Sequence, residues 1–180
     1  MNTPIVVLGV SGSIAAYKAA DIASHLVKLG CDVRVVMTEN ATRFITPLTL
    51  HTLSRNQVVL SKRNTNEDWK PTHIALADSA SLVLIAPASA NVIAELANGF
   101  ANHPLTEIAL ATRAPILIAP AMNGQMWEHP ATQRNMEVLK SFGTMVIGPS
   151  KGILACGYEG LGRLAETPEI IAIARDILSV

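Results

Sequence analysis

Charge, aromatic side chains and cysteine are all scarce in this sequence. Of its 180 residues, 16% are charged and 4% aromatic, and 14 basic side chains balance 14 acidic ones. With neither a basic footprint nor stacking platforms, a nucleic-acid-binding module is excluded. The two cysteines, Cys31 and Cys156, form no CxxC pair and no metal-ligand spacing. Neither a disulfide framework nor a bound metal is therefore expected, and a reducing cytoplasm is the compartment that fits. No basic segment precedes the first apolar run, so no signal peptide is expected. Pro87, Asn91, Arg113 and Pro115 interrupt the longest apolar stretches before they could span a bilayer, so no membrane partner is expected either.

Apolar residues, at 49%, are what the chain has in quantity. Together with the low charge they exclude a disordered chain. The length suits one domain over residues 1–180, with a core of its own. There is no internal repeat, low-complexity tract or linker.

Apolar runs alternate with helical patterns along the chain. Ile5 to Val10 reads as a first strand, and a helical stretch follows from Ile14 to about Leu29, ended by Gly30. Val33 to Met37 is a second strand, a helix begins around Thr46-Pro47-Leu48, and Val58 to Leu60 is a short third strand. His73 to Ala80 reads as helix. Leu82 to Ala86 and Ile116 to Ala119 are continuous apolar strands of the kind buried on both faces. A helix from about Ala131 to Phe142 leads into Met145–Ile147, and Glu169 to Leu178 forms an amphipathic last helix. This alternation predicts a doubly wound parallel sheet with helices on both faces, a Rossmann- or flavodoxin-like three-layer α/β/α fold. The least regular segment, 148–163, carries Gly148, Gly152, Gly157, Gly160 and Gly162 and reads as a flexible flap.

Strand one runs into Gly9-Val10-Ser11-Gly12-Ser13-Ile14-Ala15-Ala16. A small-residue turn that opens a helix presents free N–H groups and suits a phosphate. The turn is not GxGxxG, because Ala15 and Ala16 stand where the third glycine would fall. Met37-Thr38 ends strand two where a dinucleotide fold puts an acidic residue. That tilts the reading from NAD toward a mononucleotide such as FMN, with Thr38 offering a hydroxyl. The competing reading is a tight turn packed by small residues.

Two more small-residue turns, Pro87-Ala88-Ser89-Ala90-Asn91 and Pro120-Ala121-Met122-Asn123, follow later strands. In a parallel sheet they open on the same edge, where ligands bind. Ser89, Asn91 and Asn123 read equally as caps of the helices that follow. Met126 and Trp127 read as core. Among His25, His51, His73, His103 and His129, position alone favours surface or capping roles. Cys156, between Ala155 and Gly157, is a stronger candidate for chemistry than Cys31, which reads as packing.

These segments resemble the homo-oligomeric flavin-containing cysteine decarboxylases, and most of all the branch that acts on phosphopantothenoylcysteine. The resemblance is carried by Gly12-Ser13-Ile14-Ala15-Ala16-Tyr17-Lys18, Met37-Thr38, Phe44-Ile45-Thr46-Pro47-Leu48 and His73-Ile74. The later turns, the Met126-Trp127 pair and Leu154-Ala155-Cys156-Gly157 complete it, so that it covers nearly the whole chain. It implies FMN held by Gly12, Ser13, Thr38, Ser89, Ala90, Asn91 and Ala121. It implies His73 as the base near the substrate carboxylate, Asn123 as the group that binds that carboxylate, and Cys156 as the proton donor on the flap. The implied reaction is a carboxy-lyase step of coenzyme A biosynthesis, from 4′-phosphopantothenoylcysteine to 4′-phosphopantetheine through a thioaldehyde and an enethiol. A homotrimer or a trimer-based dodecamer is implied as well, with the ligase of the pathway on a separate polypeptide.

Tyr158, Glu95 and His103 depart from the family pattern. Three other readings share the fold. A peptidyl-cysteine oxidative decarboxylase does not need Cys156, and a flavin prenyltransferase does not call for the Pro120–Trp127 and Cys156 segments. A non-catalytic flavin-binding regulatory subunit tends to carry a long acidic tail.

Overall fold

Six parallel strands lie at the centre of the computed structural model, which describes residues 3–60 and 72–180. They are β1 (Ile5–Val10), β2 (Asp32–Met37), β3 (Val59–Leu60), β4 (Leu82–Ala88), β5 (Ile116–Pro120) and β6 (Met145–Val146). Their order is β3-β2-β1-β4-β5-β6, so the chain winds outward from β1 in one direction and then from β4 in the other. This is the expected doubly wound fold. Parallel neighbours need a crossover over one face of the sheet, and the helices supply it. One face carries α1 (Lys18–Lys28), α2 (Pro47–Ser54) and α8 (Thr167–Leu178). The other carries α3 (Thr72–Ser79), α4 (Ala90–Ala97), α5 (Pro104–Ala111) and α7 (Pro130–Ser141), and α6 (Gly124–Glu128) is a short helix after β5.

The period-two geometry of a strand divides each apolar run between two cores. Val6, Leu8 and Val10 of β1, with Leu82, Leu84 and Ala86 of β4, pack under α1 and α8. Val7, Val83 and Ile85 pack under α3, α4 and α5. All residues of β4 are buried, which is why the sequence shows no polar alternation there. Each fully buried Val, Leu or Ile contributes roughly 1.5–3 kcal/mol of transfer free energy.

The first helical stretch is split into a 3-10 turn over Ile14–Tyr17 and α1. The segment read as a glycine-rich loop is largely a hairpin: β7 (Ser150–Ile153) pairs antiparallel with β8 (Glu159–Arg163). Its strands are only partly buried and Ile153 is their one β-branched residue, so no strand pattern marks them in the sequence. No helix among the described residues is long and apolar enough to cross a membrane.

The switch point lies between β1 and β4, where the strand order reverses. There Ser11, fully buried, donates its hydroxyl to the carbonyl of Pro87 at 2.7 Å and accepts the N–H of Ser89 at 2.8 Å. The Ser11 N–H adds a bond of 3.3 Å to the same carbonyl. One small side chain thus fixes the turn after β1 against the turn after β4. Ser11→Ala leaves a buried donor and acceptor without this partner and is expected to lower stability by about 1–3 kcal/mol, read by urea unfolding.

Candidate active site

A cavity of about 960 Å³ opens at the carboxyl edge of the sheet, over the switch point. Its inner walls are the starts of the elements that follow β1, β2, β4 and β5, and each of these starts is capped by a polar side chain. Ser13 Oγ accepts the N–H of Ala15 at 3.3 Å, and Thr38 Oγ1 that of Ala41 at 3.3 Å. Ser89 Oγ accepts the N–H of Val92 at 3.4 Å, and Asn123 Oδ1 that of Gln125 at 2.9 Å. The capping and the site-lining readings of these residues therefore hold together. Each cap occupies its side-chain acceptor inward while the turn around it faces the cavity. The Ala121 N–H donates to Ala88 O at 3.1 Å, tying the turn after β5 to that after β4.

Of the site residues expected from the sequence, Gly12, Ser13, Thr38, Ser89, Ala90, Asn91, Ala121, Asn123 and Cys156 all line this one cavity. His73 is not among its lining residues. It sits in the first turn of α3, where Nδ1 is 3.2 Å from Glu107 Oε2 in the first turn of α5. Met126, read as core, is half exposed and lines the cavity, whereas Trp127 does pack against the core.

The hairpin forms the outer wall. Its return strand rests on the turn after β5 through a bond from Met122 N–H to Gly162 O of 2.9 Å. Gly162 has φ of +146°, and a Cβ there would lie 2.2 Å from Met122 O, so only glycine fits. At the tip, Gly157 N–H donates to Leu154 O at 2.9 Å and Leu154 N–H to Tyr158 O at 2.8 Å. That tight turn brings Cys156 over the sheet, with Asn123 Nδ2 3.4 Å from its Sγ. The phenol of Tyr158 donates to Asn123 Oδ1 at 3.1 Å.

Lys18, Arg163, Glu95 and His103 at the cavity are each held in an ion pair. Glu166 Oε2 is 3.2 Å from Lys18 Nζ and its Oε1 is 2.9 Å from Arg163. Glu95 and His103 meet each other, Oε2 to Nε2 at 3.0 Å. His103 Nδ1 accepts the N–H of Thr106 as the cap of α5, which leaves the Nε2 proton for Glu95. Ser11, Arg163 and Glu166 were not identified from the sequence as contributors. The partners of Ser11 lie on the turn after β4, out of reach of any local pattern, whereas Arg163 and Glu166 pair three residues apart and Glu166 forms a capping box with Glu169 at the start of α8, a local signal that could have found them.

The two cysteines differ as their sequence contexts suggest. Cys31 is buried, and burial pushes its thiol above the ordinary cysteine range. Cys156 is exposed at the hairpin tip.

A family model described as Flavoprotein matches residues 1–179. The chain belongs to the flavoprotein family. This flavoprotein is 50% identical over 171 residues to a probable phosphopantothenoylcysteine decarboxylase of Streptococcus mutans, a match covering 94% of this chain and 96% of that one. It is 49% identical over 174 residues to the coenzyme A biosynthesis bifunctional protein CoaBC of Bacillus subtilis, covering 97% of this chain and 43% of that protein. The flavoprotein thus spans less than half the length of that bifunctional relative. Among solved structures, a PPC decarboxylase mutant complexed with pantothenoylaminoethenethiol superposes with a TM-score of 0.86 at 34% identity, covering 99% of this chain and 100% of that chain. The FMN-dependent cysteine decarboxylase SpaF gives 0.85 at 30% identity, covering 98% of each chain. The family resemblance drawn from the motifs is borne out.

Iodoacetamide applied to the folded flavoprotein at neutral pH is expected to alkylate Cys156 and spare Cys31, as read by peptide mass. Equal labelling of both thiols contradicts the burial of Cys31.

Proposed function

We propose that the chain is an FMN-dependent carboxy-lyase that converts 4′-phosphopantothenoylcysteine to 4′-phosphopantetheine in coenzyme A biosynthesis, acting in the cytoplasm. The observation that carries this reading is the meeting of Asn123 and Cys156, 3.4 Å apart, on the wall of the cavity at the switch point. The residues present fit FMN. The cavity lies at the upper end of the usual range for small-molecule sites, about 300–1,000 Å³, large enough for a flavin with a small acid beside it. Gly12, Ala90 and Ala121 keep its walls low enough for a flat ring. Ser13, Thr38 and Ser89 bring hydroxyls, and the helix starts bring N–H groups, for a phosphate.

FMN when bound supplies the acceptor, and later the donor, of the hydride equivalent that makes loss of carbon dioxide feasible. The protein positions and protonates. The Asn123 carboxamide, already fixed as a helix cap, offers its N–H2 to the substrate carboxylate. The Cys156 thiol, carried on the hairpin, gives its proton to the enethiol carbon as the saturated product forms. The docked hairpin covers this chemistry and limits water.

His73 is assigned as the base, acting in the cavity of a neighbouring copy within a homotrimer or a trimer-based dodecamer. Two observations support that assignment. His73 lies outside the cavity of its own chain, and Ile14, Tyr17, Phe44 and Leu48 are large apolar side chains left exposed in a single chain. Glu107 holds Nδ1 of the ring, which leaves Nε2 for the reaction.

Protein supplied with FMN is expected to turn yellow and to convert phosphopantothenoylcysteine to a product lighter by one carbon dioxide and not oxidised, identified by mass. A chain that takes up no FMN, or leaves the substrate unchanged, overturns the reading. Cys156→Ser is expected to keep releasing carbon dioxide while the oxidised enethiol accumulates. A normal yield of 4′-phosphopantetheine from that variant removes the thiol from its role.

A further inference from the structure

Tyr158 follows the Ala155-Cys156-Gly157 segment and makes a specific contact in the site. Its hydroxyl donates to Asn123 Oδ1 at 3.1 Å, and the same oxygen accepts the Gln125 N–H at 2.9 Å. An amide oxygen has two lone-pair directions, and both are taken. The N–H2 end is thereby left for Cys156 Sγ, 3.4 Å away. With the Gln125 bond alone, Oδ1 would be a pivot about which the amide plane could swing. The second bond, from a different direction, fixes the plane.

The phenol has a built seat. A Cβ at Gly124 would come within 3.3 Å of the Tyr158 hydroxyl, and a Cβ at Gly160 within 3.3 Å of ring atom Cε2. The ring therefore lies where two residues lack side chains, one on the turn after β5 and one on the hairpin. Tyr158 belongs to the hairpin and Asn123 to the sheet edge, so their bond exists only while the hairpin is docked.

We propose that Tyr158 is a positioning residue that acts through Asn123. It holds the carboxamide plane so that the N–H2 faces the thiol and the substrate carboxylate when the hairpin is closed. This rests on the roles given above to Asn123 and Cys156.

The test compares Tyr158→Phe, Asn123→Ala and the double variant as FMN-loaded enzymes acting on phosphopantothenoylcysteine, with product followed by mass over hours. Tyr158→Phe is expected to lower kcat about tenfold, the scale of one lost hydrogen bond to a reacting group. Its KM should stay within about twofold, with the flavin spectrum and Tm unchanged. In the Asn123→Ala background the same substitution should change the rate less than about twofold, because the group it acts through is gone.

A kcat for Tyr158→Phe within about twofold of the parent overturns the proposal and leaves the proposed function standing. A full additional loss in the Asn123→Ala background, or a loss that comes with weaker flavin binding or a lower Tm, also overturns it. The phenol would then only pack the hairpin. If Asn123→Ala and the double variant both give no product, the kcat, KM, spectrum and Tm of the single Tyr158→Phe variant decide. Parent-like turnover by Asn123→Ala overturns the carboxylate-binding role, and the Tyr158 proposal with it.

Discussion

The bond network of Ser11 is the constraint on which the rest of the site depends. A doubly wound sheet opens a crevice where its strand order reverses, and two turns that belong to opposite windings border it. Left alone, those turns would be joined only through the body of the sheet. The Ser11 hydroxyl, fully buried, bonds to both the carbonyl and the N–H side of the Pro87–Ser89 turn. The caps at Ser13 and Ser89 are then held at fixed places relative to one another. The bond from Ala121 to Ala88 extends the same rigid rim to the turn after β5. Three loops become one surface.

That rim uses its polar residues twice. Ser13, Thr38, Ser89 and Asn123 each satisfy an N–H at the start of a helical element and also line the cavity. A cap has its rotamer fixed by the helix it serves, so the cavity's polar groups are ordered before any ligand arrives. This lowers the entropy cost of ordering them on binding. The same logic covers Asn123, whose carboxamide is pinned by main chain on one side and by a phenol on the other.

Much of the fold was legible because its signal is local. β1, β4 and β5 announce themselves as unbroken apolar runs, since strands buried on both faces leave no room for polar alternation. The turns that line the cavity were legible as small-residue segments placed directly after those strands. The hairpin was not, because Ser150–Ile153 and Glu159–Arg163 are only partly buried and rich in glycine. Nor was α5, which opens at His103-Pro104 behind a helix that ends only a few residues earlier. The contacts between distant residues stayed hidden for a different reason. Ser11 to Pro87, His73 to Glu107 and Asn123 to Tyr158 each join parts of the chain that only the topology brings together. The sequence marked His73, Asn123 and Cys156 as one group, but a single chain assembles only the latter two.

The seating of Gly162 bears on how the thiol can reach or leave its post. The hairpin's tip is a tight turn tied to itself, and its foot is clamped to Met122 at a point where no side chain could be accommodated. A lever with a stiff end and a clamped heel does not drift by degrees. Withdrawing Cys156 requires the Met122 clamp to release or the β7–β8 rungs to part, and either event lifts the sulfur and the phenol together. The sulfur and the phenol thus share one support, and whatever disturbs the Met122 clamp acts on both at once.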